Sequence, residues 1–337
     1  LNAGVDMDMQ GAVYYNHLKN SLKEGKVRME NINQSVRNVL SLKYDLGLFD
    51  DPYKYLDEEK EEEIVLSDEL KEHALVSARE SIVLLKNERH EDAKLLPVEE
   101  TPEKIALIGP LAHNRKDMTG TWWASADTAS IVTVKEGLEK QYPDAAITTV
   151  FGCSTKGTGR EGFDEAITAA ENADLVIMAI GENKLQSGEA ASRSDIDLPG
   201  QQKALLKAVH KTGKPIISVV MAGRPLTITW MDENIPAIIY AWHLGTRTGD
   251  AIADVISGEH NPSGKLVMTF PRNTGQIPIY YNAKNTGRPF DADNKYTIKY
   301  LDVSNEPLYP FGYGLSYSEF EYANLKQDKK QLDLGSE

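Results

Sequence analysis

The stretch 181–199, GENKLQSGEAASRSDIDLP, gathers two glutamates, an arginine and two aspartates: Glu182, Glu189, Arg193, Asp195 and Asp197. Just before it lies the apolar run Leu175-Val176-Ile177-Met178-Ala179-Ile180, bounded by Gly181, the pattern of a strand buried on both faces. In an open parallel sheet, the loops leaving the carboxyl ends of strands are where ligands bind. Carboxyl groups delivered to that edge can give and take protons, so the loop is a candidate site. The alternative reading, a solvated surface loop, rests on its charge alone.

A second candidate is Gly157-Thr158-Gly159-Arg160-Glu161-Gly162, a literal G-x-G-x-x-G with Glu182 further on. A dinucleotide fingerprint needs its first Gly at the strand-to-helix turn, so that pyrophosphate meets the helix N-terminus. Here CSTK separates Gly157 from Gly152, where the strand ends, so a nucleotide site is disfavoured. No Walker A loop or paired-histidine metal motif is present, and the 7 histidines are scattered.

Behind these residues must stand elements that place them. Lys104, Ala146, Asp174, Pro215 and Ala237 each open a β-branched or apolar run, and helical stretches are expected over 132–142, 161–173, 200–211 and 245–258. This alternation predicts a doubly wound, mostly parallel α/β sheet with helices on both faces. Upstream, helices are expected over 14–23 and 29–46, the second capped by Asn31 or Asn33, after a short apolar strand within residues 1–10. One strand and two helices cannot close a core, so this segment must pack on something else. The charge run DEEKEEE reads as a solvated linker or helix start, and a long helix is expected over 67–87. Beyond Gly258 the chain is rich in Pro, Gly and Tyr and reads as a surface-wrapping segment ending in a strand and a polar tail.

The totals narrow the partners. With 337 residues the chain has room for two domains. A net charge of −14 argues against nucleic acid or an anionic membrane as partner, and no apolar segment is long enough to span a bilayer. Cys153 is the only cysteine, which excludes an internal disulfide framework. The chain opens on Leu1 rather than Met and reads as part of something longer.

LNAGVDMDM, KYDLGLFDDPY, ARESIVLLKN, IALIGPLA, the GE…SGEAASRSDIDLP loop, MAGRP, NPSGKLVMTFPR and YPFGYGLSY occur in one order. Together they resemble the C-terminal half of a glycoside hydrolase family 3 enzyme, of the bacterial periplasmic β-glucosidase type. The resemblance implies that residues 1–50 are the last strand and helices of a (β/α)8 barrel and 51–100 a linker and long helix. Residues 101–300 would be an α/β sandwich carrying the acid/base loop. Residues 301–337 would be a C-terminal strand and linker toward a fibronectin type III-like domain missing from the chain.

It also implies retaining hydrolysis by two carboxyl groups. The family's nucleophile is an Asp in an S-D-W-type motif of the barrel, and no such motif occurs here. The acid/base comes from the sandwich loop matched by residues 181–199. Of its two glutamates, Glu189 is chosen because it lies mid-loop, within reach of a sugar, whereas Glu182 abuts the strand. Glu182 is expected to anchor the loop through backbone hydrogen bonds, with Asp195 also in loop support; Arg193 is expected to bind substrate and to pair with Asp195. A family Trp lining the leaving-group subsite matches Trp122 in Gly120-Thr121-Trp122-Trp123. Sugars offer flat C–H faces on which aromatic rings pack. Trp123 belongs to the same substrate-binding group, although a part-buried core position suits it better.

The implied activity is that of an exo-acting β-glucosidase acting on β-glucosides or short β-glucans, needing no metal or organic cofactor. Alone, the chain should be inactive without the missing N-terminal barrel segment. The alternative is a non-catalytic carbohydrate-binding or assembly module on the same sandwich. A homo-oligomer is open, and periplasmic or secreted placement follows from the resemblance only.

Overall fold

The structure, a computed structural model, describes residues 1–91 and 93–327. It divides into two compact units, Leu1–Ser67 and Asp68–Glu337.

The first unit holds helices α1 (Val13–Lys23), α2 (Met29–Asp45) and α3 (Glu58–Ile64). The strand expected within residues 1–10 does not form. A strand exists only through a neighbour's N–H and C=O groups, and no element of this unit supplies them. Residues before α1 fold back on α2 instead: Asn31 Nδ2 donates to Asn2 Oδ1 (2.9 Å) and Asn38 Nδ2 to Asp6 Oδ2 (3.0 Å). Asn31 and Asn33 therefore lie inside α2 rather than capping it; the cap position is Arg28, without a side-chain bond. Of this unit's described residues only Ser35 is buried, and the apolar stripe of α2, with Val36, Leu40 and Tyr44, stays exposed. The charge run becomes α3, capped by Asp57, whose carboxylate accepts from the Lys60 amide (3.0 Å).

In the second unit α4 (Asp68–Ser81) leads into β1 (Val83–Asn87), and a two-residue hairpin of β2 (Arg89–His90) and β3 (Ala93–Lys94) follows. Then come β4 (Lys104–Ile108), α5 (Val134–Gln141), β5 (Ala146–Val150), α6 (Phe163–Glu171) and β6 (Leu175–Gly181). The order continues through α7 (Gln202–His210), β7 (Ile216–Met221), α8 (Thr229–Asn234), β8 (Ala237–Tyr240) and α9 (Thr248–Ser257). Six strands form one sheet in the order β1-β8-β7-β6-β4-β5. All its pairs are parallel except β1 with β8, which are antiparallel with Val83 opposite Tyr240.

The single helix expected over 67–87 is thus a helix followed by an edge strand. Ile82-Val83-Leu84-Leu85 is fully apolar, so helical and strand periods both fit it. The long-range partner β8 decides, and burial of all four side chains on both faces follows.

Strand residues alternate between two cores. Val176, Met178 and Ile180 face Ala166, Leu205 and Met231 of α6, α7 and α8. Leu175, Ile177 and Ala179 face Leu75, Leu138 and Ile252 of α4, α5 and α9. Helices cover both faces, the doubly wound arrangement that a period-two, all-apolar strand requires.

After α9 the chain wraps the sheet with little regular structure. The C-terminal strand expected in 301–337 is reduced to isolated bridges, Phe270 with Tyr309 and Leu84 with Leu315. Pro310 and the glycines 312 and 314 interrupt any longer ladder. Residues 328–337 of that segment lie outside the described ones. No helix of the described residues is long and apolar enough to cross a membrane.

One local device anchors the loop that leaves β4. Thr133, fully buried, caps α5: its hydroxyl accepts from the Glu136 amide (3.3 Å), and Glu136 Oε2 accepts from the Thr133 amide (2.9 Å). Arg115, from the same loop, pairs with Glu136. Thr133→Ala should lower stability by about 1–2 kcal/mol, read as a fall in the urea midpoint. A midpoint equal to that of the parent chain would show that the cap contributes nothing.

Candidate active site

The chain runs from β4 outward to β5, then returns to place β6 on the other side of β4. Strand order therefore reverses between β4 and β6, and the crevice outside their carboxyl ends is where such sheets bind ligands. The loop after β4 carries Trp122 and Trp123; the loop after β6 carries Glu182, Glu189, Arg193 and Asp195.

These two loops are tied together. The Thr121 hydroxyl is shared between the carbonyls of Lys184 and Ser187, and the Lys184 amide donates to Asp117 Oδ1 (3.1 Å). Gly188, at φ +89°, touches Thr121 so closely that a Cβ would fall 2.7 Å from Thr121 Cγ2. Residues 188 and 121 are in contact, which sets their chain neighbours Glu189 and Trp122 at one rim. Both side chains are exposed, Trp122 at 75%. Among the described residues the Glu189 carboxylate has no hydrogen bond or ion pair, so it is free to meet a ligand.

Trp123 is not core. It is 36% exposed, and Lys184 Nζ sits 3.6 Å from its ring centre, a cation–π contact that joins the two loops again. One face of Trp123 is therefore occupied, whereas Trp122 keeps an open surface.

Glu182 does anchor the loop, but not through backbone hydrogen bonds of its side chain. Its carboxylate is fully buried, with Oε1 2.7 Å from Arg193 Nη1 and 2.9 Å from Arg224 Nε. Arg193 is therefore not the partner of Asp195. Asp195 accepts from the Asp197 amide two residues on (3.0 Å), a local turn that uses the carboxylate and leaves the guanidinium to Glu182. Arg193 Nη2 also donates to the Asp197 carbonyl (2.8 Å), and Arg224 Nη2 donates to the carbonyls of Gln186 and Ala191.

Arg224 was not among the candidate residues. Its only signal was the MAGRP motif, short and unspecific, because the partner carboxylate leaves a different strand. Its backbone is fixed as well, since the buried Tyr240 hydroxyl donates to the Arg224 carbonyl.

Thr155, two positions before the G-x-G-x-x-G segment, supports the same loop from the other side. It accepts from Asn183 Nδ2 (2.8 Å) at its hydroxyl and from Gln186 Nε2 (3.0 Å) at its carbonyl. With Glu182 committed to two arginines, no acid is left in the place where the fingerprint needs a ribose partner. His243, beyond β8, lies beneath the tip of the Trp122 loop, where a Cβ on Gly120 (φ +69°) would meet its Cβ at 3.1 Å. Burial pushes the His243 imidazole down, against the pull of the Glu182 and Asp117 carboxylates.

Comparison with known proteins gives this geometry a setting. Residues 82–317 match the Glycosyl hydrolase family 3 C-terminal domain. The periplasmic β-glucosidase of Salmonella typhimurium is 41% identical, over 96% of this chain and 45% of its own length. A β-xylosidase of Formosa agariphila is also 41% identical, over 98% of this chain and 46% of its own. The crystal structure of a β-glucosidase from Listeria innocua superposes with a TM-score of 0.87 at 40% identity, covering 95% of this chain and 43% of that one. The chain thus spans less than half the length of these relatives. A sandwich with acids and an open tryptophan at its switch point, matched by sequence and by structure over nearly all the chain's residues, places the chain in glycoside hydrolase family 3, with residues 82–317 as that family's C-terminal domain.

Proposed function

We propose that this chain supplies the general acid/base and the leaving-group subsite of a retaining, exo-acting β-glucosidase that removes terminal β-D-glucosyl residues. The observation that carries this reading is the rim itself, where the unpaired carboxylate of Glu189 and the open ring of Trp122 stand on two interlocked loops. The Listeria β-glucosidase has been crystallised with glucose, and a mutant of it with laminaribiose, which supports glucosides as the substrate class.

In the first step Glu189, as the carboxylic acid, gives its proton to the glycosidic oxygen while the C1–O bond breaks and its electron pair stays on that oxygen. A second carboxylate, from outside these residues, attacks C1 and forms a glycosyl ester. Glu189, now a carboxylate, takes a proton from water as that water attacks C1 and releases the ester. Trp122 packs on the C–H face of the departing group and keeps its oxygen near Glu189. The nucleophile belongs to the barrel segment that the family places before this domain. Like the Salmonella relative, the parent protein would work in the periplasm or outside the cell.

The test is release of nitrophenol from 4-nitrophenyl β-glucoside and β-xyloside, the second because a xylosidase is equally similar. The chain alone should give no release above buffer; joined to the barrel segment it should turn over, the glucoside faster. Robust turnover by the chain alone would mean that the nucleophile is misplaced. Saccharide binding without turnover in the joined protein would favour a binding or assembly module.

A further inference from the structure

Glu189 sits at the tip of a long polar loop, yet proton transfer demands a carboxyl held to within a fraction of an ångström. Nothing bonded to Glu189 itself provides that order. What is fixed lies on either side of it.

Arg224 Nη2 donates to the carbonyls of Gln186 and Ala191, the residues that bracket the tip. Arg193 Nη2 takes the Asp197 carbonyl further along (2.8 Å). Both guanidiniums pair with one fully buried carboxylate, Glu182: Arg193 through a hydrogen bond at 2.7 Å, Arg224 through an ion pair at 2.9 Å that lacks hydrogen-bond geometry. Glu182 follows directly on β6, and its own amide donates to the Met221 carbonyl of β7 (2.8 Å), so the clamp is bolted to the sheet. The loop within it is strained: Ala190, next to Glu189, has φ +57°, a conformation that an L residue with a Cβ adopts only when its surroundings impose it.

We propose that Glu182, Arg193 and Arg224 form a clamp, closed on the buried Glu182 carboxylate, whose work is to position Glu189 for proton transfer, with Arg224 as the residue that closes the loop around it. This rests on the reading of Glu189 as general acid/base. An arginine suits the task because its planar fork can bind a carboxylate and carbonyl oxygens at once, from fixed directions; a lysine offers one charge and no fork.

The clamp acts through Glu189, so its loss should show most where the proton matters. In the enzyme that carries this chain with its barrel segment, Arg224→Lys and Arg193→Lys are compared with Glu189→Ala on a series of aryl β-glucosides, from 2,4-dinitrophenyl to phenyl. For the poorest leaving groups Arg224→Lys should lower kcat/KM by roughly 10- to 100-fold, and Arg193→Lys by about 10-fold, while the dinitrophenyl substrate changes by no more than about 3-fold. Thermal melts run beside the kinetics separate folding from positioning. A steep leaving-group gradient in Glu189→Ala with flat responses in both arginine variants overturns the clamp alone. A flat response in Glu189→Ala overturns the assignment of Glu189, and the clamp with it. If neither arginine variant folds, the role is structural and the inference is wrong.

Discussion

In the assembled enzyme, Glu189→Ala is expected to lower kcat/KM toward unactivated β-glucosides by roughly 10²–10⁴-fold, with azide restoring turnover on an activated aryl glucoside. The size follows from what is removed. A poor leaving group departs as an alkoxide unless an acid protonates it, whereas dinitrophenolate leaves without help. Azide replaces the water that the lost carboxylate would have activated, so it rescues only the second step and yields a glycosyl azide. The product is therefore as informative as the rate. A wild-type rate on phenyl β-glucoside would remove Glu189 from the mechanism. Glu182, buried at 0% exposure between two guanidiniums, is no ready substitute, because no sugar oxygen can reach it.

Glu182→Ala should act on the fold instead, costing about 3–5 kcal/mol. The substitution leaves Arg193 and Arg224 facing one another across the space of a carboxylate, each partly desolvated and without its counter-charge. Their side chains keep 20% and 18% exposure, and each retains carbonyl acceptors, so the lower half of that range is expected. Urea denaturation of the chain measures it directly. In the assembled enzyme azide should not rescue this variant, since no proton-transferring group has been removed. A midpoint matching the parent would show that the carboxylate is not engaged as described.

Much of this was legible in the residues. All-apolar runs such as Leu175–Gly181 can be satisfied only between two helical layers, and the alternation of runs and amphipathic stretches leaves a parallel sheet as the economical solution. Strand-end position marked the loop after β6 as a candidate site, whereas Glu189 and Trp122 were singled out within the chain by the family resemblance. Neither choice needed a contact between distant residues.

The misreadings share one cause. Residues 83–87 form a strand because β8 lies beside them, and nothing local separates that outcome from another turn of helix. Residues 1–10 form no strand because they lack such a neighbour. Arg193 was paired with Asp195 on proximity in sequence, whereas Glu182, delivered by the end of β6, offered a desolvated site with a second arginine, and Asp195 was better used by its own turn. By itself, then, the sequence determined the layers, the strands and the loop ends at which chemistry could occur, since periodicity and burial are local demands. Which charge meets which, and therefore what holds Glu189 in place, only the tertiary structure decided, because ion pairs form between strand ends that the fold alone brings together.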